Sequence, residues 1–152
     1  MSRVPFPAGF FGVAGLVPFV YGTLLLFADE GALPTFGIVA SDRDGGVHLL
    51  ANLGAILLGF MGGCLWGFAS APGRRPTLLL LAASIVPAAI AFLAIRPDPA
   101  LSCLWLAFGF VALQAIDVVM QRVGVAPDYW LHLRLPLTAG VVACLLVGAL
   151  YG

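Results

Sequence analysis

Residues 53–67 read LGAILLGFMGGCLWG, and around them small residues recur at every fourth position: Ala51, Ala55, Gly59, Gly63 and Gly67. Positions four apart lie on the same side of an α-helix, so this spacing predicts one continuous small-residue stripe. The run belongs to an apolar stretch, residues 47–70, long enough to cross a bilayer. In hydrocarbon, helices gain nothing from the hydrophobic effect by associating, and close backbone packing must hold them together. The stripe therefore marks a helix-packing face, turned either toward its own bundle or toward a partner span.

The rest of the chain has the same character. Of its 152 residues 62% are hydrophobic and 9% are charged, whereas a soluble domain carries about a quarter charged residues. Mean hydropathy is +1.10. Formal net charge is zero, with no basic tail or cluster, so nucleic-acid binding has no electrostatic basis. All seven basic residues are Arg, a bias expected of a GC-rich, bacterial genome. The opening MSRVPFPAGFF lacks the Arg- and Ser-rich pattern of a transit peptide, and no small-residue cleavage site follows it. Cys64, Cys103 and Cys144 are isolated in apolar stretches, which excludes a disulfide framework or CxxC site and leaves them as small buried residues.

Five stretches are long and apolar enough to span: residues 9–28, 47–70, 77–95, 100–121 and 128–151. The expected fold is thus an all-α, single-domain bundle of five transmembrane helices. No internal repeat of the inverted-transporter kind is visible. Arg3, Arg74, Arg75, Arg122 and Arg134 fall on the N-terminal side of the membrane, and only Arg43 and Arg96 on the other. Because positive residues concentrate in cytoplasmic loops, the N-terminus is expected inside and the C-terminus in the periplasm. Pro18 and Pro87 interrupt the first and third spans and free the carbonyls of Ala14 and Ala83. Ser84 is placed to satisfy the latter. Such kinks serve helix wrapping or shape a ligand cavity.

Polarity is concentrated in the last two spans. Gln114, Asp117 and Gln121 share one helix face, and a carboxylate inside a span normally faces protein and finds a partner. Asp117 stands about 7.5 Å from the Arg122 end of its helix at 1.5 Å per residue. With Asp128 as a helix N-cap, Arg134 lies about 9 Å deep by the same rise. The matching depths predict an Asp117–Arg134 ion pair, either a structural clamp or part of a headgroup, quinone or proton site. Tyr129, Trp130 and Trp66 are expected as interfacial aromatic anchors.

The remaining motifs point away from chemistry. His48 and His132 sit at opposite ends of their spans, too far apart to share a haem across roughly 30 Å of hydrocarbon. Asp42 and Asp44 in SDRDGG lack the other ligands of a calcium loop and read as a solvated turn. Asn52 reads as an interhelical hydrogen-bonding residue. No zinc-protease, nucleophile-elbow or phosphate-loop motif occurs, so neither a catalytic residue nor a metal site is expected.

Three segments, GVAGLVPF at 12–19, LGAILLGFMGGCLWG at 53–67 and DYWLHLRLPLT at 128–138 preceded by Asp117, resemble a proteobacterial five-span membrane family of unknown function that includes mitochondrial transmembrane protein 69. The second segment departs from the commoner family pattern, which more often has Tyr and Ser where this chain has Leu53 and Gly59. The resemblance implies an inner-membrane protein and carries no activity with it. The combined expectation is a non-enzymatic accessory or structural subunit of the bacterial inner membrane. It would pack among membrane lipids against other membrane-protein subunits of a respiratory or photosynthetic electron-transfer complex. The alternatives are a small oligomeric transporter or channel, and a lipid- or quinone-binding protein. No cofactor is required beyond such a bound lipid or quinone.

Overall fold

The computed structural model describes residues 4–29, 34, 42–71 and 78–152. Arg3, Arg74, Arg75 and Glu30, which bear on the orientation, lie outside the described residues, as does most of the connection at 29–46. The described chain forms five helices: α1 (Phe6–Leu25), α2 (Arg43–Ala69), α3 (Leu78–Ala94), α4 (Pro99–Arg122) and α5 (Trp130–Tyr151). Four of them, α1, α2, α4 and α5, are long and apolar enough to cross a membrane. α3 has 17 described residues, about 26 Å at the standard rise, slightly less than a hydrocarbon core of about 30 Å.

Helix ends follow local chemistry. Asp42, expected in a solvated turn, caps α2 by accepting a hydrogen bond from Gly45 N at 2.7 Å, so this helix begins four residues before the expected boundary. Asp98 caps α4 through Ala100 N at 3.0 Å and Leu101 N at 3.4 Å, with Pro99 opening the first turn, where no donor is lost. The end of α4 is a glycine stop. Gly124 takes φ 69°, its N–H reaches Gln121 O at 2.9 Å, and Val125 N reaches Met120 O at 2.8 Å. That pairing satisfies the last carbonyls and turns the chain at once toward α5. Asp128 does not cap α5: Tyr129 occupies that position without a side-chain hydrogen bond.

α2 is the hub. It contacts all four other helices, while α1 otherwise touches only α5 and α3 only α4. Its inward face carries Val47, Leu50, Gly54, Leu58, Gly62, Leu65 and Ala69, the i, i+3, i+4, i+7 pattern of a single helix side. The predicted stripe lies elsewhere. Ala51 is buried and Ala55 half-buried, but a side chain added at Gly59, Gly63 or Gly67 would meet nothing within 4 Å. The close approaches belong to other glycines: a Cβ at Gly62 would stand 2.7 Å from Ser84 O of α3, and one at Gly46 2.9 Å from Gly22 O of α1.

Three prolines lie inside the described helices, since Pro136 interrupts α5 as Pro18 and Pro87 interrupt α1 and α3. Ser84 does not serve the carbonyl freed by Pro87; its hydroxyl donates to Leu81 O at 2.7 Å. Asn52 is exposed, lining a groove with Arg96, Ser102 and Leu106 rather than bonded between helices. Tyr21 ties α1 to the following connection by donating to Pro34 O.

Candidate functional site

The short Gly124 turn brings the end of α4 beside the start of α5, and there the polar residues of both helices meet. Arg134 Nε stands 3.2 Å from Asp117 Oδ2. Asp117 is 0% exposed and Arg134 5%. Trp130 is the third member. Its indole Nε1 donates to Asp117 Oδ1 at 2.6 Å, its ring packs edge-on against Phe68 of α2 at 4.8 Å, and the Arg134 guanidinium carbon lies 5.9 Å from the ring centroid. Trp130 is therefore turned inward onto the carboxylate, not outward as an aromatic anchor. Both carboxylate oxygens are engaged, one by a cation and one by a neutral donor, an arrangement that offsets the desolvation of a buried charge.

The two glutamines have separate fates. Gln121 staples the turn: its Nε2 donates to Asp128 O at 2.9 Å and its Oε1 accepts from Leu131 N at 3.3 Å. The Gln114 amide lies buried with neither Nε2 nor Oε1 bonded. Tyr129 is half-buried ahead of α5, and Trp66 faces outward at 46% exposure. His48 and His132 are both exposed. Among the described residues no group of three His, Cys, Asp or Glu is placed to hold a metal.

Beside the clamp lies a cleft of about 280 Å³ bounded by α1, α2, α4 and α5. Its walls are apolar and aromatic, with Phe11 from α1, Phe60 from α2, Phe110 from α4 and Trp130 from α5. Gly15 also lines it and leaves its side-chain space empty, since a Cβ there would meet nothing within 4 Å. Phe11 and Phe60 are 72% and 63% exposed, so the rim reaches the outer surface of the bundle. Two polar side chains line the cleft besides the indole, Arg134 and Thr138. Arg134 Nη2 and Thr138 Oγ1 are both buried and have no hydrogen-bond partner. Sequence reasoning found Arg134 and missed Thr138.

The contrast with the other helix hydroxyls is informative. Thr23 donates back to Phe19 O at 2.9 Å and Ser84 to Leu81 O at 2.7 Å, the ordinary way a hydroxyl in a helix is satisfied. Thr138 does not. A buried hydroxyl and a buried guanidinium N–H without partners, both on residues that line one cleft, are costly in a folded protein, and each would be satisfied by an acceptor that reached it from the cleft.

Among known proteins, transmembrane protein 69 of Xenopus tropicalis is 36% identical over 100 residues, which cover 62% of this chain and 34% of that protein. The chain thus spans about a third of the length of this relative. No solved structure matches. The family model described as "Protein of unknown function (DUF3429)" matches residues 4–150, and with four helices of spanning length and composition the chain is a multi-pass membrane protein that belongs to this family.

Proposed function

We propose that the chain is a non-enzymatic protein of the bacterial inner membrane that takes an amphiphile from the bilayer into the cleft between α1, α2, α4 and α5. The carrying observation is the pair of unpartnered donors, Arg134 Nη2 and Thr138 Oγ1, on an otherwise apolar cleft. Small-molecule sites have this composition, a mostly apolar and aromatic lining with a few polar groups that orient the ligand. The exposed rim at Phe11 and Phe60 gives a membrane-dissolved molecule a lateral way in. The test is to purify the protein in mild detergent, extract it, and identify bound amphiphiles by mass spectrometry. Gly15→Leu is the control, because the new side chain would occupy the cleft. Wild-type protein should carry an amphiphile that the variant lacks; equal lipid content in the two would refute the reading.

The expected accessory-subunit role remains as a second reading, favoured by a different observation. Gly59, Gly63 and Gly67 lie on the outward side of α2 with open space before them, a surface on which a helix of a larger respiratory or photosynthetic assembly can pack closely. Co-migration with such an assembly on native gels in fixed stoichiometry would support it, and migration alone would count against it.

A further inference from the structure

Resting on the amphiphile-binding reading, we infer that the cleft takes a neutral molecule whose head is a flat, carbonyl-bearing ring on an apolar tail, the chemistry of a quinone. Three features of the site select this class. The first is the donor pair. Arg134 and Thr138 are four residues apart on α5, so their side chains rise from the same side of the helix with Cβ atoms about 6 Å apart. Both are more than nine-tenths buried, at 5% and 6% exposure, both line the cleft, and each carries a buried donor without a partner, Nη2–H and Oγ1–H. A carbonyl oxygen has two lone pairs and can accept from both at once.

The second feature is charge. Arg134 is the single charged residue lining the cleft, and its guanidinium is already paired with Asp117 through Nε at 3.2 Å. The site as a whole is therefore neutral. An added phosphate or carboxylate would be a third, uncompensated charge in a low-dielectric interior, where desolvation alone costs several kcal/mol per ion. A carbonyl needs only the two hydrogen bonds that are open. The third feature is the wall: Phe11, Phe60, Phe110 and Trp130 surround the volume, and aromatic side chains stack on or edge against a planar ring. At about 280 Å³ the space lies at the small end of ligand sites, suited to one ring with its tail left in the bilayer.

The test uses the full chain in nanodiscs, titrated with a decyl-tailed benzoquinone and followed by quenching of tryptophan fluorescence. Wild-type protein should show a saturable component, absent from Gly15→Leu and about five-fold weaker in Thr138→Val, the loss of one hydrogen bond. Equal quenching of wild type and Thr138→Val would overturn the donor assignment. Two competitors then separate the sources of an acceptor. Dioleoylglycerol supplies neutral ester carbonyls without a ring, and phosphatidate supplies an anion; neither should displace the quinone at equal mole fraction. Displacement by dioleoylglycerol would overturn the ring assignment, and displacement by phosphatidate the neutral head, while both would leave amphiphile binding standing. No quenching component sensitive to Gly15→Leu, together with equal amphiphile content of the two proteins on extraction, would remove both the inference and the reading beneath it.

Discussion

Breaking the Asp117–Arg134 clamp one residue at a time should damage the fold more than removing it whole. Asp117→Leu deletes both acceptors and strands two buried donors, Arg134 Nε and Trp130 Nε1, which now sit 3.2 and 2.6 Å from the carboxylate. Arg134→Met leaves a carboxylate of 0% exposure with only the Trp130 indole to bond. Each single change leaves one uncompensated buried charge, a loss of about 3 to 5 kcal/mol. The double variant Asp117→Leu/Arg134→Met strands no charge and orphans only the indole N–H, a loss of about 1 to 3 kcal/mol. Replacing Trp130 by Phe in that background removes the orphan as well and should recover part of the loss. The assay is reversible unfolding in mixed micelles titrated with SDS, followed by circular dichroism. The order of stability should be wild type, double variant, then the two singles, with the double about 2 kcal/mol above either single. If instead the two losses simply add, the residues are not a closed unit and the clamp is wrong.

Two further outcomes follow from the packing and from the charge distribution. Gly62→Ala would place a methyl 2.7 Å from Ser84 O, a backbone atom that cannot swing aside, and should cost about 1 to 3 kcal/mol. Gly63→Ala, with nothing within 4 Å, should be neutral or stabilising by up to about 1 kcal/mol; the same SDS titration reads both, and equal effects would refute the inward assignment of Gly62. A reporter that is active only in the periplasm should be active when fused after Gly152, as the asymmetry of the seven Arg residues requires under the positive-inside rule. Activity of a cytoplasmic reporter at that position would reverse the orientation.

The helices were legible in the sequence because apolar length alone declares them, and the depth of Asp117 and Arg134 was legible because both could be counted from a helix end. What faces inward was not. In water an amphipathic helix announces its buried side by the polarity of the other, but α2 carries Ile56, Phe60 and Trp66 on its exposed side and Leu50, Leu58 and Leu65 on its buried one. Small residues therefore give the only hint, and α2 has two sets of them. The set at Gly59, Gly63 and Gly67 looked continuous and points outward. The bond of Trp130 is hidden for a related reason: near a helix start Trp reads as an interfacial anchor, and nothing in the spacing says that its indole turns onto Asp117. Thr138 gives no signal in the sequence, because a hydroxyl in a helix is normally satisfied by its own backbone and only the folded arrangement shows one that is not.

The glycines that do pack explain both why α2 is the hub and why the cleft exists. Gly46, Gly54 and Gly62 are eight residues apart, and eight residues on an α-helix turn the facing direction by about 80°. Successive members therefore address different neighbours: a Cβ at Gly46 would strike Gly22 O of α1, one at Gly54 would meet Leu106 of α4 and Leu145 of α5, and one at Gly62 would strike Ser84 O of α3. The close backbone contact with α1 is thus made at the Gly46 end of α2. Gly15 and Phe11 lie toward the other end of α1, Gly15 about 10 Å from Gly22 by the helical rise. There α2 presents Leu57, Phe60, Met61 and Cys64, none of them small enough for backbone to touch backbone. Pro18 lies between the two regions inside α1, where a proline bend turns one half of a helix away from the other. The two helices meet backbone to backbone at the Gly22–Gly46 end, and toward the Phe60 end they border the cleft. The cleft beside them is lined by Arg134 and Thr138, two of the three residues whose buried donors have no partner among the described residues.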